Sequence, residues 1–215
     1  IDEFKHKAIG TELINIAKLN KRKADNPEQN NIVGFVSPTH GFNFPPIMLH
    51  FIFRFPRSKH NNQIMILNTR AGMKIGKLFL PGLSGMAQYF AAIILLIKGY
   101  KIIAMKPVDL PSNWISLHPG LKQRVVNSIY EKREAEIRFF AQRLIEGKRN
   151  FKALFDLIQD ILVTPISIGY YFFGRFVLAK TFVASHDCTK CKLCKNTCPV
   201  NAIKWVDKRP FWNYT

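Results

Sequence analysis

Short apolar runs alternate with stretches of helical length through the first half of the chain. Ile32-Val33-Gly34-Phe35-Val36, Ile64-Met65-Ile66-Leu67 and Tyr100-Lys101-Ile102-Ile103-Ala104-Met105 are continuous enough in apolar residues to be strands buried on both faces, as in a parallel sheet. Between them, Ile47 to Phe55 and Ser84 to Lys98 predict helices, the second stopped by Gly99. A further short strand is expected at Thr11 to Ile16, ahead of a charged loop from Lys18 to Glu28 that contains Pro27. This alternation predicts an α/β fold, a parallel sheet with flanking helices.

The pattern then changes. Leu121, Val125, Ile129, Ile137, Phe140 and Leu144 recur at near-helical spacing among Lys, Arg and Glu, which predicts one long amphipathic helix between Gly120 and Gly147. A second helix is expected from Phe151 to Leu162. The apolar run from Ile161 to Ser185 is broken by Pro165, Gly169, Gly174, Arg175 and Lys180, whereas membrane spans need about 20 largely uninterrupted apolar residues. A buried or interfacial segment is therefore expected there. Ala202 to Val206 reads as a short strand and Arg209 to Thr215 as a turn-like tail. The division that follows is a sheet domain at 1–119, a helical connector at 120–184 and a small α+β domain at 185–215.

With 215 residues and 47% hydrophobic content, the chain is long and apolar enough to bury a core. Thirty-two Lys and Arg against fourteen Asp and Glu give a net charge of +18, which favours anionic partners: nucleic acid, an acidic protein, lipid head groups or phosphate. All four cysteines lie together, with none spent on staples elsewhere. That usage points to a reducing, cytoplasmic setting, and no signal peptide is visible.

The cysteines carry the most specific chemistry. Cys188, Cys191, Cys194 and Cys198, followed by Pro199, are spaced C-x2-C-x2-C-x3-C-P, the run that bacterial-type ferredoxins use to hold iron–sulfur clusters. Structural zinc, the competing use of four thiolates, ordinarily takes two separated pairs or a Cys/His mixture. In two-cluster ferredoxins the fourth cysteine ligates the other cluster, so a second run is expected beyond Thr215; one cluster on all four cysteines is the alternative. His6, His50, His60, His118 and His186 show no ligand spacing to one another, and His186, two residues before the first cysteine, is at most a neighbour that tunes a cluster.

Two predicted strands run into small, polar stretches where α/β sheets place ligands, at the carboxyl ends of their strands. The first is Ser37-Pro38-Thr39-His40-Gly41-Phe42, continuing to Pro45-Pro46; the second, Asn68-Thr69-Arg70-Ala71-Gly72, is expected to be a loop offering backbone N–H groups and a cation.

Taken in order, Gly34 to Phe42 with Pro45-Pro46, Thr69-Arg70-Ala71-Gly72, Leu110-Pro111-Ser112-Asn113-Trp114 and the cysteine run resemble the flavodoxin–ferredoxin fusion family. The resemblance implies a flavodoxin-like FMN domain ahead of a ferredoxin-like domain with 4Fe-4S clusters, two in the full-length protein. It places Ser37, Pro38, Thr39, His40, Gly41 and Phe42 in the first flavin-flanking loop, and Asn68, Thr69, Arg70, Ala71 and Gly72 in the second. The family's phosphate loop and the strand before it have no counterpart, so FMN phosphate contacts are not assigned. A flavodoxin-like sheet would lack its central strand, and both ends are expected to belong to a longer protein.

The expected function is electron relay between FMN and 4Fe-4S clusters, as a component of a flavin and iron–sulfur oxidoreductase. Lys190, Lys192 and Lys195 among the ligands would favour the reduced cluster and attract an acidic redox partner. Two rivals come from the charge and the connector. One is a nucleic-acid-binding protein with a zinc knuckle; the other is a redox protein peripheral to the inner, anionic membrane face.

Overall fold

A computed structural model describes residues 3–4, 7, 9–19, 24–112, 120–198 and 200–214. His6, Asn113, Trp114, His118, Pro199 and Thr215 lie outside the described residues. The chain is a mixed α/β protein built on a four-stranded sheet. Its elements are β1 (Ile32–Pro38), α1 (Pro46–Arg54), β2 (Gln63–Ile75), β3 (Leu78–Leu80), α2 (Ala87–Ile97), β4 (Lys101–Pro111) and the long α3 (Gln123–Ile145).

The thirteen-residue β2 is the centre of the sheet. It pairs in parallel with β1 on one side and β4 on the other, while its end turns back to pair antiparallel with β3. The sheet is thus mixed, not wholly parallel, with the strand expected at Ile64 to Leu67 lengthened and placed at its centre. Alternation along β2 sends Ile64 and Ile66 to one face and Leu67 to the other. Ile64 and Ile66 pack with Phe35, Ile52, Ala91 and Leu95 under α1 and α2, and Leu67 packs with Ile103, Phe140 and Leu144 under α3. Burial on both faces is what makes β2 and β4 read as unbroken apolar runs, whereas β1 buries only the Phe35 and Ser37 side and leaves Ile32 and Val36 exposed, because it is the edge strand.

The helix boundaries have local causes. Pro46 opens α1 at a position where its missing N–H and fixed φ cost nothing. α2 ends where Gly99 takes φ +85°; its N–H donates to Leu96 C=O (2.9 Å) and that of Tyr100 to Leu95 C=O (3.0 Å). Leu95 and Tyr100 both enter the core, which completes the hydrophobic half of that cap. Thr11–Ile16 forms no strand: Leu13 and Ile14 are exposed, and no neighbouring strand gives them a ladder.

The connector differs most from expectation. A 3₁₀ turn (Lys152–Asp156), α4 (Leu157–Gly169), a π turn (Tyr170–Gly174) and α5 (Arg175–Ala179) follow one another without a break. The helix therefore runs through Pro165 and Gly169, which the sequence presented as interruptions, and absorbs the irregularity in the π turn. Beyond it lie α6 (Leu193–Thr197) and a hairpin of β5 (Ile203–Val206) and β6 (Arg209–Trp212). Residues 209–212 are a strand, not a tail. Asp207 and Lys208, at φ +46° and +61°, form the two-residue turn that joins them, in the mirror-image geometry that suits strand twist.

Candidate functional sites

The cysteine loop is built with almost no core. Cys188 and Cys198 are half-buried, Cys191 and Cys194 exposed, and Ala202 is the only buried residue among those described from 183 to 214. Lys190 and Lys192 both take left-handed backbone, at φ +60° and +61°, on either side of Cys191. Alternating handedness of this kind turns successive N–H groups toward one concave side, a shape found at many iron–sulfur sites. The Leu193 N–H, with the Thr189 side chain and the N–H of Cys191, holds the Cys191 thiol below its usual range against a small opposing effect of burial. The Ala202 N–H donates to Cys198 Sγ at 3.3 Å. Among the described residues no three Cys, His, Asp or Glu side chains converge on one point, so the four sulfurs share a loop without being drawn together. Lys190, Lys192 and Lys195 are exposed between them, and so is His186.

The carboxyl end of the sheet is a second, very different cluster. Asn68–Gly72 is not a loop: these residues continue β2, with Asn68 paired to Ser37 and Pro107, Thr69 to Pro38 and Val108, and Arg70 to Gly72 paired along β4. Asn68 is fully buried; its amide donates to Thr39 Oγ1 (2.7 Å) and Ser84 Oγ (3.0 Å) and accepts from Gln88. Arg70 Nε donates to Asp109 Oδ1 at 2.6 Å and Nη1 to Asp156 Oδ2 at 2.7 Å. Burial by itself would lower the Arg70 pKa, but hydrogen bonds and charges from Asp109 and Asp156 outweigh it and raise it. Arg133 of α3 and the Gly82 N–H complete the coordination of Asp109.

Gly41 and Phe42, at φ +56° and +60°, make a tight turn closed by paired hydrogen bonds between His40 and Asn43. A side chain at Gly41 would collide with the ring of Tyr170, whose hydroxyl bonds His40 Nε2. Burial, aided by the nearby Arg175 charge, pushes the His40 pKa down. The π turn thus lies over the first loop. Ser37 is buried, Pro38 ends β1, and the Thr39 N–H bonds Thr69 C=O at 2.7 Å. The two stretches assigned to flavin do come together, but as an interior network closed over by Asp156 and Tyr170. The residues present do not fit a flavin: the side chains of the second stretch that would meet it, Asn68 and Arg70, are already engaged with protein partners.

Asp109, Asp156 and Asp160 were not singled out from sequence. Asp109 carried a signal, being the one carboxylate in a largely apolar strand, where a buried charge demands a partner. Asp160 is buried, and burial together with the Asp156 charge pushes its pKa up to about 6, although Arg70 and the Gly85 and Ser84 N–H groups oppose this. The folded chain then holds a proton that the unfolded chain releases from pH 3.8 upward, so stability falls as pH rises from there through about 6. Asp160→Asn is expected to raise stability by about 1–3 kcal/mol at neutral pH and to change it little below pH 3.8. Thermal melts of both proteins across that range test this; an equal effect at both ends would remove the protonation argument.

Comparison with known families finds the 4Fe-4S binding domain at residues 183–204, the segment that contains all four cysteines. The chain therefore carries a ferredoxin-type 4Fe-4S binding domain near its carboxyl end. Comparison with curated proteins and with solved structures yields no match.

Proposed function

We propose that the protein is a one-electron carrier whose working part is the 183–204 domain, with Cys188, Cys191, Cys194 and Cys198 as cluster ligands. The observation that carries this reading is the four-thiol spacing, matched to the 4Fe-4S binding domain and wound through left-handed Lys190 and Lys192. The bound cluster supplies reversible one-electron chemistry at low potential. The chain's own residues hold the thiolates, direct N–H groups toward the sulfurs and surround them with positive charge. Lys190, Lys192 and Lys195 stand exposed where an acidic redox partner would approach, so its docking should weaken with salt. A reducing, cytoplasmic setting suits four exposed or half-exposed thiols.

The FMN implied by the resemblance is not carried into this proposal. No family match supports it, and Asn68 and Arg70 already have internal partners.

Anaerobic preparation followed by iron, sulfide and zinc assays tests the reading. Iron and acid-labile sulfide in similar amounts are expected, with broad visible absorption that bleaches on one-electron reduction. A colourless protein that takes up zinc alone and binds RNA would replace the carrier by the zinc-knuckle alternative.

A further inference from the structure

The helix that begins at Lys152 is amphipathic in the reverse sense for a helix packed on a protein. Its polar side faces the sheet domain: Asp156 pairs with Arg70, Gln159 donates to Gly82 C=O, Asp160 and Ser167 are buried, and Tyr170 bonds His40. Its apolar side faces out. Phe155, Ile158, Leu162 and Phe173 are exposed by 89, 78, 73 and 74%, and Ile166 and Val177 extend the same stripe. The residues from Lys152 to Ala179 are long and apolar enough to cross a membrane, yet little of that surface is covered. Crossing would tear Asp156 and Asp160 from their partners and place two carboxyl groups in hydrocarbon. A helix fastened along one side and greasy along the other is built to lie in a bilayer surface.

Charge identifies the occupant. Arg149 and Lys152 are exposed at one end of the stripe. At the other end, Lys180 sits over the Phe211 ring at 4.2 Å, beside a groove of ≈ 270 Å³ that Arg209, Phe182 and Trp212 also line. Aromatic rings mixed with Lys and Arg are the composition that settles at head-group level. A second copy of the chain suits this face poorly. Two-fold pairing along the stripe, parallel or antiparallel, would set one cationic end against another.

We infer that the outer face of Lys152–Ala179, with the cations at its two ends, is a docking surface for an anionic lipid bilayer on which the protein rests without spanning it. The surface is independent of the cluster and of what the cluster does.

Sedimentation of the full cluster-loaded chain with phosphatidylglycerol–phosphatidylcholine vesicles tests it. Binding is expected to the mixed vesicles and to be much weaker with phosphatidylcholine alone. The double variant Lys152→Glu with Lys180→Glu should bind roughly tenfold or more weakly. Ile158→Glu with Leu162→Glu, at positions already exposed, should lose binding while keeping the parent's far-ultraviolet circular dichroism and thermal melt, which report the sheet domain and its helix, and the cluster's visible absorption, which reports the carboxyl-terminal module. Release of bound protein by alkaline carbonate supports the resting geometry; retention would mean a span and would overturn it. Absence of sedimentation would also overturn the inference, as would a chain that elutes as a dimer only when Ile158 and Leu162 are present, since the stripe would then belong to self-association.

Discussion

Serine in place of Cys191 is expected to abolish iron and sulfide incorporation and to unfold the carboxyl-terminal module along with it. The reason lies in how little else holds that module. From 183 to 214 the chain has a five-residue helix, a four-residue hairpin pair and only Ala202 buried among the described residues. Segments below about 40 residues rarely bury enough surface to fold without a metal, a disulfide or a partner. Metal binding there is folding free energy, so losing one ligand removes more than one bond's worth of order. Trp205 and Trp212 report the result, since both lie on the hairpin. Their near-ultraviolet circular dichroism should flatten in Cys191→Ser while far-ultraviolet signal from the sheet domain persists. A variant that kept its tryptophan signal after losing its iron would show that the hairpin stands by itself.

The second large effect is expected at Arg70. Its guanidinium lies between Asp109 and Asp156, with Asp109 further held by Arg133 at 3.2 Å. Arg70→Ala would leave the half-buried Asp156 without its cation and the buried Asp109 with one in place of two. Breaking a buried pair from one side ordinarily costs about 3–5 kcal/mol. Arg133 should keep the loss near the lower end of that range. Urea unfolding followed by far-ultraviolet circular dichroism measures it, and a loss under about 1 kcal/mol would mean that solvent fills the space and screens the carboxylates. Arg70→Lys is expected to fall between, because a lysine ammonium cannot bridge both carboxylates with a planar fork. The same substitution loosens Asp156, one of the ties that hold the long helix to the sheet.

How far the sequence disclosed this arrangement depends on the kind of signal. The cysteine run was legible because ligand spacing is local: four thiols within eleven residues need no fold to reveal them. The strands around Ile64 and Ile102 were legible because burial on two faces writes an unbroken apolar run, and the helix between them because Gly99 marks its end. The carboxyl half of β2 was not. Asn68, Thr69 and Arg70 look like a solvated loop, and nothing nearby shows that Asp109 and Asp156 wait to receive them from 39 and 86 residues away. Tertiary partners turned a polar stretch into a central strand. Pro165 misled for a related reason: a proline ends an isolated helix, but a helix tied along one side continues past it. In the terminal hairpin, Asp207-Lys208 lacks the glycine that normally advertises such a turn, and Pro210 suggested an end instead of an edge strand. The connector was legible as a helix only from Phe151 to Leu162, whereas the structure carries that helix on without a break to Ala179.

The central place of β2 has a consequence for how the chain comes off the ribosome. β1 and β4 do not pair with each other, since both are joined to the sheet through β2. When β1 emerges it is an unpaired ribbon, and it stays one until residue 63 and those after it are made. The first parallel ladder must then close across a helix before either edge is satisfied, and such non-local pairing is slow. During that interval the nascent ribbon Ile32–Pro38 is the part of the molecule most open to mispairing with a neighbouring chain. Slower translation through Gln63–Ile75 should therefore lower the yield of soluble protein more than the same delay placed in α3.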